Sequence, residues 1–222
     1  MRLAMTGMKR LLLFVLLGSA VGAADWPALT PAEFAARPEV QSPIDPQKFD
    51  QPLLVAAIFH ETNRVRRSLG LAPFTTVARL DEAADLKAVF GTLQFGLTHQ
   101  NPLPLTATPA DRVRSVGLSY RQVAENIGLL GLLDVATRTQ VGLRKRDGRD
   151  EYYHLDSGKP VERRTYALFA AAVVAAWMNS PPHRANIVNP AFVSLGCGAR
   201  PCRDLMSGQD QIYAVQVFFT PR

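Results

Sequence analysis

Apolar residues recur along the chain at helical spacing and in short extended runs, and the two patterns predict different elements. From Leu54 the positions Ala57, Ile58, Thr62, Val65 and Leu69 fall three to four residues apart, the period of one helical face. Asp50, Gln51 and Pro52 precede them, an aspartate and an early proline suited to a helix start, and Gly70 ends the run. A second helix is predicted over about Ala78 to Phe95. Leu80, Ala83, Ala84, Ala88 and Leu93 supply its apolar face, and Asp81 and Glu82 suit the positive end of its dipole. A short helix from Ala110 to Val116 is closed by Gly117, and Tyr120 to Ile127 reads as extended. Thr165 to Asn179 is alanine-rich and apolar nearly all round, which predicts a buried helix. Two strands finish the chain, Val193 to Ala199 and Ile212 to Phe219, the latter aromatic and β-branched. Helices interrupted by a few strands, without regular βαβ alternation, indicate an α+β fold.

Composition narrows the class. The chain has 222 residues, 47% hydrophobic and 20% charged, enough for one domain with a substantial core. This excludes a disordered or collagen-like chain, and two cysteines exclude a dense disulfide scaffold. Lys9 and Arg10, the apolar run Leu11 to Leu17, and the small residues Gly18, Ser19, Ala20, Gly22, Ala23 and Ala24 describe a secretory signal peptide over residues 1–24, cleaved after Ala23 or Ala24. The uncharged stretch from Leu11 to Ala24 is shorter than the roughly 20 residues of a membrane span. Loss of Arg2, Lys9 and Arg10 leaves 22 basic against 19 acidic side chains, a net +3, so no nucleic-acid partner is expected. The chain is therefore expected to be secreted or periplasmic. In an oxidising compartment Cys197 and Cys202, with four residues between them for a turn, are expected to form a disulfide worth about 2 kcal/mol. Half of a zinc site is the rival, and it lacks a second cysteine pair.

Residues 25–49 carry Pro27, Pro31, Pro38, Pro43 and Pro46, which block regular structure and read as an extended arm or linker before a domain over 50–222. The domain contains a charge-rich excursion at about 129–164, read as a solvated β-hairpin. Two readings of it stay open. It has no particular role, or it is a flap or partner-binding edge that contacts anionic wall polymers or phospholipid.

Candidate chemistry gathers around three side chains. His99 and His183 each sit just past a predicted helix end, where a side chain can face a cleft. Glu125 lies between apolar neighbours on an extended segment, and a buried carboxylate there needs a histidine or a cation as partner. Two imidazoles and one carboxylate suit a divalent cation such as zinc. Each residue also has a structural reading: His99 at a helix end, His183 in a short helix capped by Ser180, Glu125 in a salt bridge. His60-Glu61-Thr62-Asn63-Arg64 begins like a zinc-protease helix, but arginine stands where the second histidine belongs, so His60 reads as a helix-surface residue. His154 also reads as surface.

Several strings together are more specific than any one alone. They are Asn63-Arg64 with Gly70-Leu71-Ala72-Pro73-Phe74, Leu97-Thr98-His99, Ala124-Glu125-Asn126-Ile127-Gly128, Trp177-Met178-Asn179-Ser180, His183-Arg184-Ala185-Asn186-Ile187, Gly196-Cys197-Gly198 and Gln216-Val217-Phe218. In order and content they resemble the CAP superfamily of SCP-like extracellular proteins, relatives of cysteine-rich secretory proteins, venom antigens and plant pathogenesis-related proteins, in its bacterial form. The resemblance covers roughly residues 52–220. It implies an α-β-α sandwich with a central antiparallel sheet and a cleft lined by two histidines and two glutamates, which holds a divalent cation in some members. The first histidine falls on His99, the glutamate of Glu-Asn-Ile on Glu125 and the second histidine on His183. The second glutamate falls on Ser180, so at most three strong ligands remain. The superfamily has no single shared reaction. The reading is a secreted protein, more a binder than an enzyme, that holds a small ligand, a lipid or a divalent cation in a cleft of His99, Glu125, Ser180 and His183. Two alternatives are a hydrolase using a His–Glu pair and a module whose polar residues only tie the fold together while its surface binds a protein partner.

Overall fold

The computed structural model describes residues 23–94, 96–136 and 139–222, so most of the expected signal peptide lies outside the described residues. A 3₁₀ turn at Ala23–Ala28 leads into α1 (Pro31–Ala35), and two more such turns follow at Pro38–Gln41 and Pro46–Lys48. Then come α2 (Gln51–Ser68), α3 (Ala78–Gly91), α4 (Pro109–Ser115), β1 (Tyr120–Gly131), β2 (Val141–Arg146), β3 (Arg149–His154), α5 (Tyr166–Met178), α6 (Pro181–Val188), β4 (Ser194–Arg203) and β5 (Asp210–Pro221). No described helix is long and apolar enough to cross a membrane.

The local signals act as their chemistry requires. Asp50 caps α2 by accepting the Leu53 amide at 3.0 Å, with Pro52 in the first turn, and Gly70 turns the chain out at φ 72°. Thr108 and Asp111 form a reciprocal capping box at the start of α4. Asp147-Gly148, both at positive φ, close the β2–β3 hairpin, where an aspartate–glycine pair suits the turn.

Three antiparallel strands in the order β1-β5-β4 form the central sheet. β5 is covered on both faces, which is why it reads as a near-continuous hydrophobic run. Ile212, Ala214 and Phe218 pack with α2 and α5, whereas Tyr213, Val215, Val217 and Phe219 pack with α3. The result is an α+β sandwich of helix, sheet and helix. On β4, Gly196 and Gly198 let α3 rest on the strand: a Cβ at either position would lie 2.4 and 2.6 Å from the backbone of Leu80 and Ala84.

Four expectations need correction. Residues 25–49 are not an extended arm. Trp26, Phe34, Val40 and Ile44 are buried in the same core as α2 and α5, because prolines at the starts of short helical turns fold the segment back over those helices. The same packing removes His60 from the surface. Its Nε2 lies 2.9 Å from the Trp26 carbonyl, its ring stacks on Phe34 at 4.3 Å, and burial holds it below the usual imidazole range. Helix α5 is not buried all round, since Leu168, Ala175 and Ala176 are exposed. Finally, Cys197 and Cys202 are both free thiols on the single strand β4. Residues five apart on one strand face opposite sides and stand about 16 Å apart, far beyond disulfide reach. Pro201 between them marks an edge strand and not a turn.

Candidate functional site

The site forms where β1 passes between two helical layers. On β1, Glu125 faces the α3–α4 layer with Ile127, while Asn126 faces the α2–α5 layer. Glu125 is buried, its side chain only 1% exposed, and both of its oxygens are engaged. His99 Nδ1 lies 2.9 Å from Oε1, and the Arg112 guanidinium donates a short hydrogen bond to Oε2. The sequence calls for a histidine or a cation beside this carboxylate, and the structure supplies one of each.

Arg112, on α4 and fully buried, went unseen in the sequence because its string Asp111-Arg112-Val113-Arg114 has the composition of a solvated helix. It also donates to the carbonyls of His99, Thr106 and Ala107 at 3.1 to 3.3 Å. Lys87 of α3 is equally buried and donates to Gln94 Oε1, the Gln100 carbonyl and Asn101 Oδ1 at 3.1 to 3.2 Å. Burial pushes its ammonium down to about 8 against the attraction of Glu125. Two buried cations thus fix the segment that carries His99.

A neutral network fixes His183 from the other face of β1. Asn126 Nδ2 donates to the His183 carbonyl at 3.1 Å and to Gln216 Oε1 at 3.0 Å, and its Oδ1 accepts from Asn186 at 2.8 Å. Gln216 in turn donates to Thr62 Oγ1 at 2.7 Å, which ties the network to α2. Arg66 of α2, stacked 3.8 Å over Phe74, holds the far end of α6 through the Ile187 and Asn189 carbonyls. Burial, and then repulsion from His99, hold His183 below the usual imidazole range. Ser180 occupies the N-cap position of α6, yet its side chain makes no capping hydrogen bond.

The structure therefore joins His99 to Glu125 and brings His183 within electrostatic reach of His99, with Ser180 three residues before it. It does not assemble a metal centre. Both Glu125 oxygens are already engaged, one of them by a guanidinium, and a hydroxyl replaces the second carboxylate at Ser180. Among the described residues no group of three histidine, cysteine or acidic side chains is placed to hold an ion. The donors present do not fit the divalent cation that the resemblance implies.

The described residues of the hairpin gather at the other end of β1. With Pro43 to Lys48, Pro160 to Arg163, Arg203 and Asp210, they line two hollows of 710 and 1130 Å³ near the Gly131 end of β1. That end is six residues, roughly 20 Å, from Glu125.

Comparison with known proteins agrees with this architecture. The sequence profile of the cysteine-rich secretory protein family matches residues 136–218, a span that includes Ser180 and His183 and excludes His99 and Glu125. Over that span the chain is similar to the cysteine-rich secretory protein family, and its fold is that of a bacterial SCP-domain protein. It is 28% identical over 137 residues to the uncharacterized protein YkwD of Bacillus subtilis, an alignment that covers 62% of this chain and 38% of that protein. An extracellular protein containing an SCP domain from Bacillus anthracis superposes with a TM-score of 0.51 at 20% identity, over 80% of this chain and 44% of that one. An outer surface protein of Borrelia burgdorferi gives a TM-score of 0.46 at 17% identity, over 74% of this chain and 90% of its own. The chain thus spans less than half the length of the two Bacillus proteins.

Proposed function

We propose that the chain is exported through a signal peptide over residues 1–24 and acts in a secreted or periplasmic setting as a binding protein. Its ligand is held between His99 and His183 by hydrogen bonds to the imidazoles and not through a metal ion. The observation that carries this reading is the inward engagement of Glu125 by Arg112 and His99. With Nδ1 turned to the carboxylate, His99 presents Nε2 outward from a side chain that is 47% exposed. His183 is partly buried across the strand, and its ring nitrogens can offer further hydrogen bonds beside those of His99. The extracellular description of the Bacillus anthracis relative supports the exported setting.

The test has two parts. Calorimetric titration of the chelator-stripped protein with zinc is expected to show no saturable binding in the micromolar range. Such binding, lost in both His99→Ala and His183→Ala, overturns the metal-free reading. Imidazole nitrogen NMR against a library of soluble amide, carboxylate and polyol fragments is expected to shift His99 and His183 together. Hits that move neither resonance overturn the cleft as the binding site.

A second reading, hydrolysis, is favoured by the 2.9 Å His99–Glu125 contact, which is how a carboxylate orients a general base. His99 would activate a water or the uncapped Ser180 hydroxyl. Turnover of casein or model esters above the Glu125→Gln background would establish it, and none would remove it.

A further inference from the structure

The strand order leaves β1 at one edge of the sheet, and the directions of its hydrogen bonds can be derived. On the opposite edge strand, the amides of Leu195 and Cys197 turn outward, to the Thr75 carbonyl and to Asp81. Gly196 and Gly198 therefore bond Val217 and Val215 of β5. The alternate β5 residues, Gln216 and Phe218, then bond Asn126 and Ala124 of β1. It follows that Val123, Glu125 and Ile127 turn their amides and carbonyls away from the sheet. Two contacts confirm this phase: the Ile127 carbonyl accepts the Trp177 indole at 3.1 Å, and the Gly131 carbonyl accepts Arg164 at 2.6 Å. Among the described residues, no partner is recorded for the outward amide and carbonyl of Val123 or of Glu125.

That edge opens on a cleft. A 570 Å³ groove runs beside Tyr120 to Val123, walled by Thr108 to Ala110 before and within α4 and by Asn189 and Phe192 after α6. Its lining contains Arg121 and no acidic residue. Arg121 is exposed and makes no ion pair with a described residue. At the inner end of the edge stands Glu125, with His99 on one face of the strand and His183 on the other.

We infer that the free edge of β1 from Arg121 to Glu125 is a docking edge for an acidic peptide in extended conformation, which adds as a further strand and runs between His99 and His183. Unpaired strand groups at the two-residue repeat match the backbone of an extended chain. Arg121 selects for acid on the incoming strand. The inference names the ligand class of the proposed cleft and rests on that reading only where the peptide meets the histidines.

The experiment measures fluorescence-polarisation binding of an acetylated, amidated heptapeptide of alternating valine and glutamate. A second probe has the same sequence with every other amide N-methylated. Wild-type protein is expected to bind the first and to bind the second at least tenfold more weakly. Val123→Pro removes an outward amide without breaking a sheet bond, a substitution that edge strands tolerate, and it is expected to weaken the first probe by a similar factor. Arg121→Glu is expected to weaken it further as salt is lowered. Equal affinity for the two probes, or no binding of the first, overturns the inference whether or not the Val123 variant folds. Binding lost on N-methylation yet unchanged in His99→Ala and His183→Ala supports the edge and overturns the histidine cleft. Binding lost in the histidine variants but indifferent to N-methylation does the reverse.

Discussion

Replacing Arg112 with methionine isolates the interaction that organises the cleft. Methionine retains most of the apolar volume and deletes the charge. The guanidinium makes five hydrogen bonds, two to the His99 carbonyl, one each to Thr106 and Ala107, and one to Glu125. Neither ion-pair partner is more than 1% exposed, so the variant strands a carboxylate with only His99 beside it. Leaving a buried charge unpaired costs about 3–5 kcal/mol, a large part of the roughly 5–15 kcal/mol that holds a domain together. The freed carbonyls cost less if water reaches them. The assay is equilibrium urea unfolding followed by tryptophan fluorescence, on Arg112→Met, Glu125→Gln and the double variant. The expected result is a loss of about 3–5 kcal/mol for Arg112→Met, with roughly 1.5–3 kcal/mol recovered when Glu125→Gln is added, because the stranded charge is then gone. An Arg112→Met variant within about 1 kcal/mol of the parent, or no recovery in the double variant, would refute the reasoning.

Two further outcomes test other parts of the structure. Asp81 accepts the Cys197 amide at 2.7 Å, yet burial pushes its carboxyl up to about 6 from 3.8, so the folded state keeps a proton that the unfolded chain has already lost between those values. Stability is therefore lost as pH rises from about 4 to 6. Asp81→Asn, which keeps the acceptor, should gain about 1–2 kcal/mol above pH 6 and nothing near pH 4, as read by thermal melts across that range; equal gains at both ends would contradict the assignment. Thiol titration of the purified protein should find two reactive groups after denaturation without reductant. Cys197 should be silent in the folded state, where burial holds its thiol well above the usual range, and an oxidised pair would contradict the placement of both residues on β4.

Much of the fold was legible because its signals are local. The Asp50 cap and Gly70 bracket α2, and the Asp147-Gly148 turn sets the hairpin. The aromatic and β-branched residues from Ile212 to Phe219 announce the strand β5. The candidate residues His99, Glu125 and His183 were legible as chemistry out of place, a carboxylate among apolar neighbours and imidazoles past helix ends. Their partners were not. Arg112 and Lys87 resemble any solvated cation until the chain folds over them. His60 and Phe34 belong to segments whose stacking no periodicity encodes. The expected disulfide failed for a related reason: spacing along the chain does not say whether five residues turn or extend, and at Cys197 to Cys202 they extend.

The sequence by itself determined the helices, the strands and the residue types from which a cleft can be made, because capping, turn chemistry and hydrophobic period act over a few neighbours. Only the tertiary structure decided how the cleft is built. It set Glu125 against Arg112 and His99. It placed β1 at an edge with His99 and His183 astride it, and it folded residues 25–49 into the core. Each of these turns on contacts between groups distant in sequence, where burial removes water and makes the identity of the nearest charge decisive.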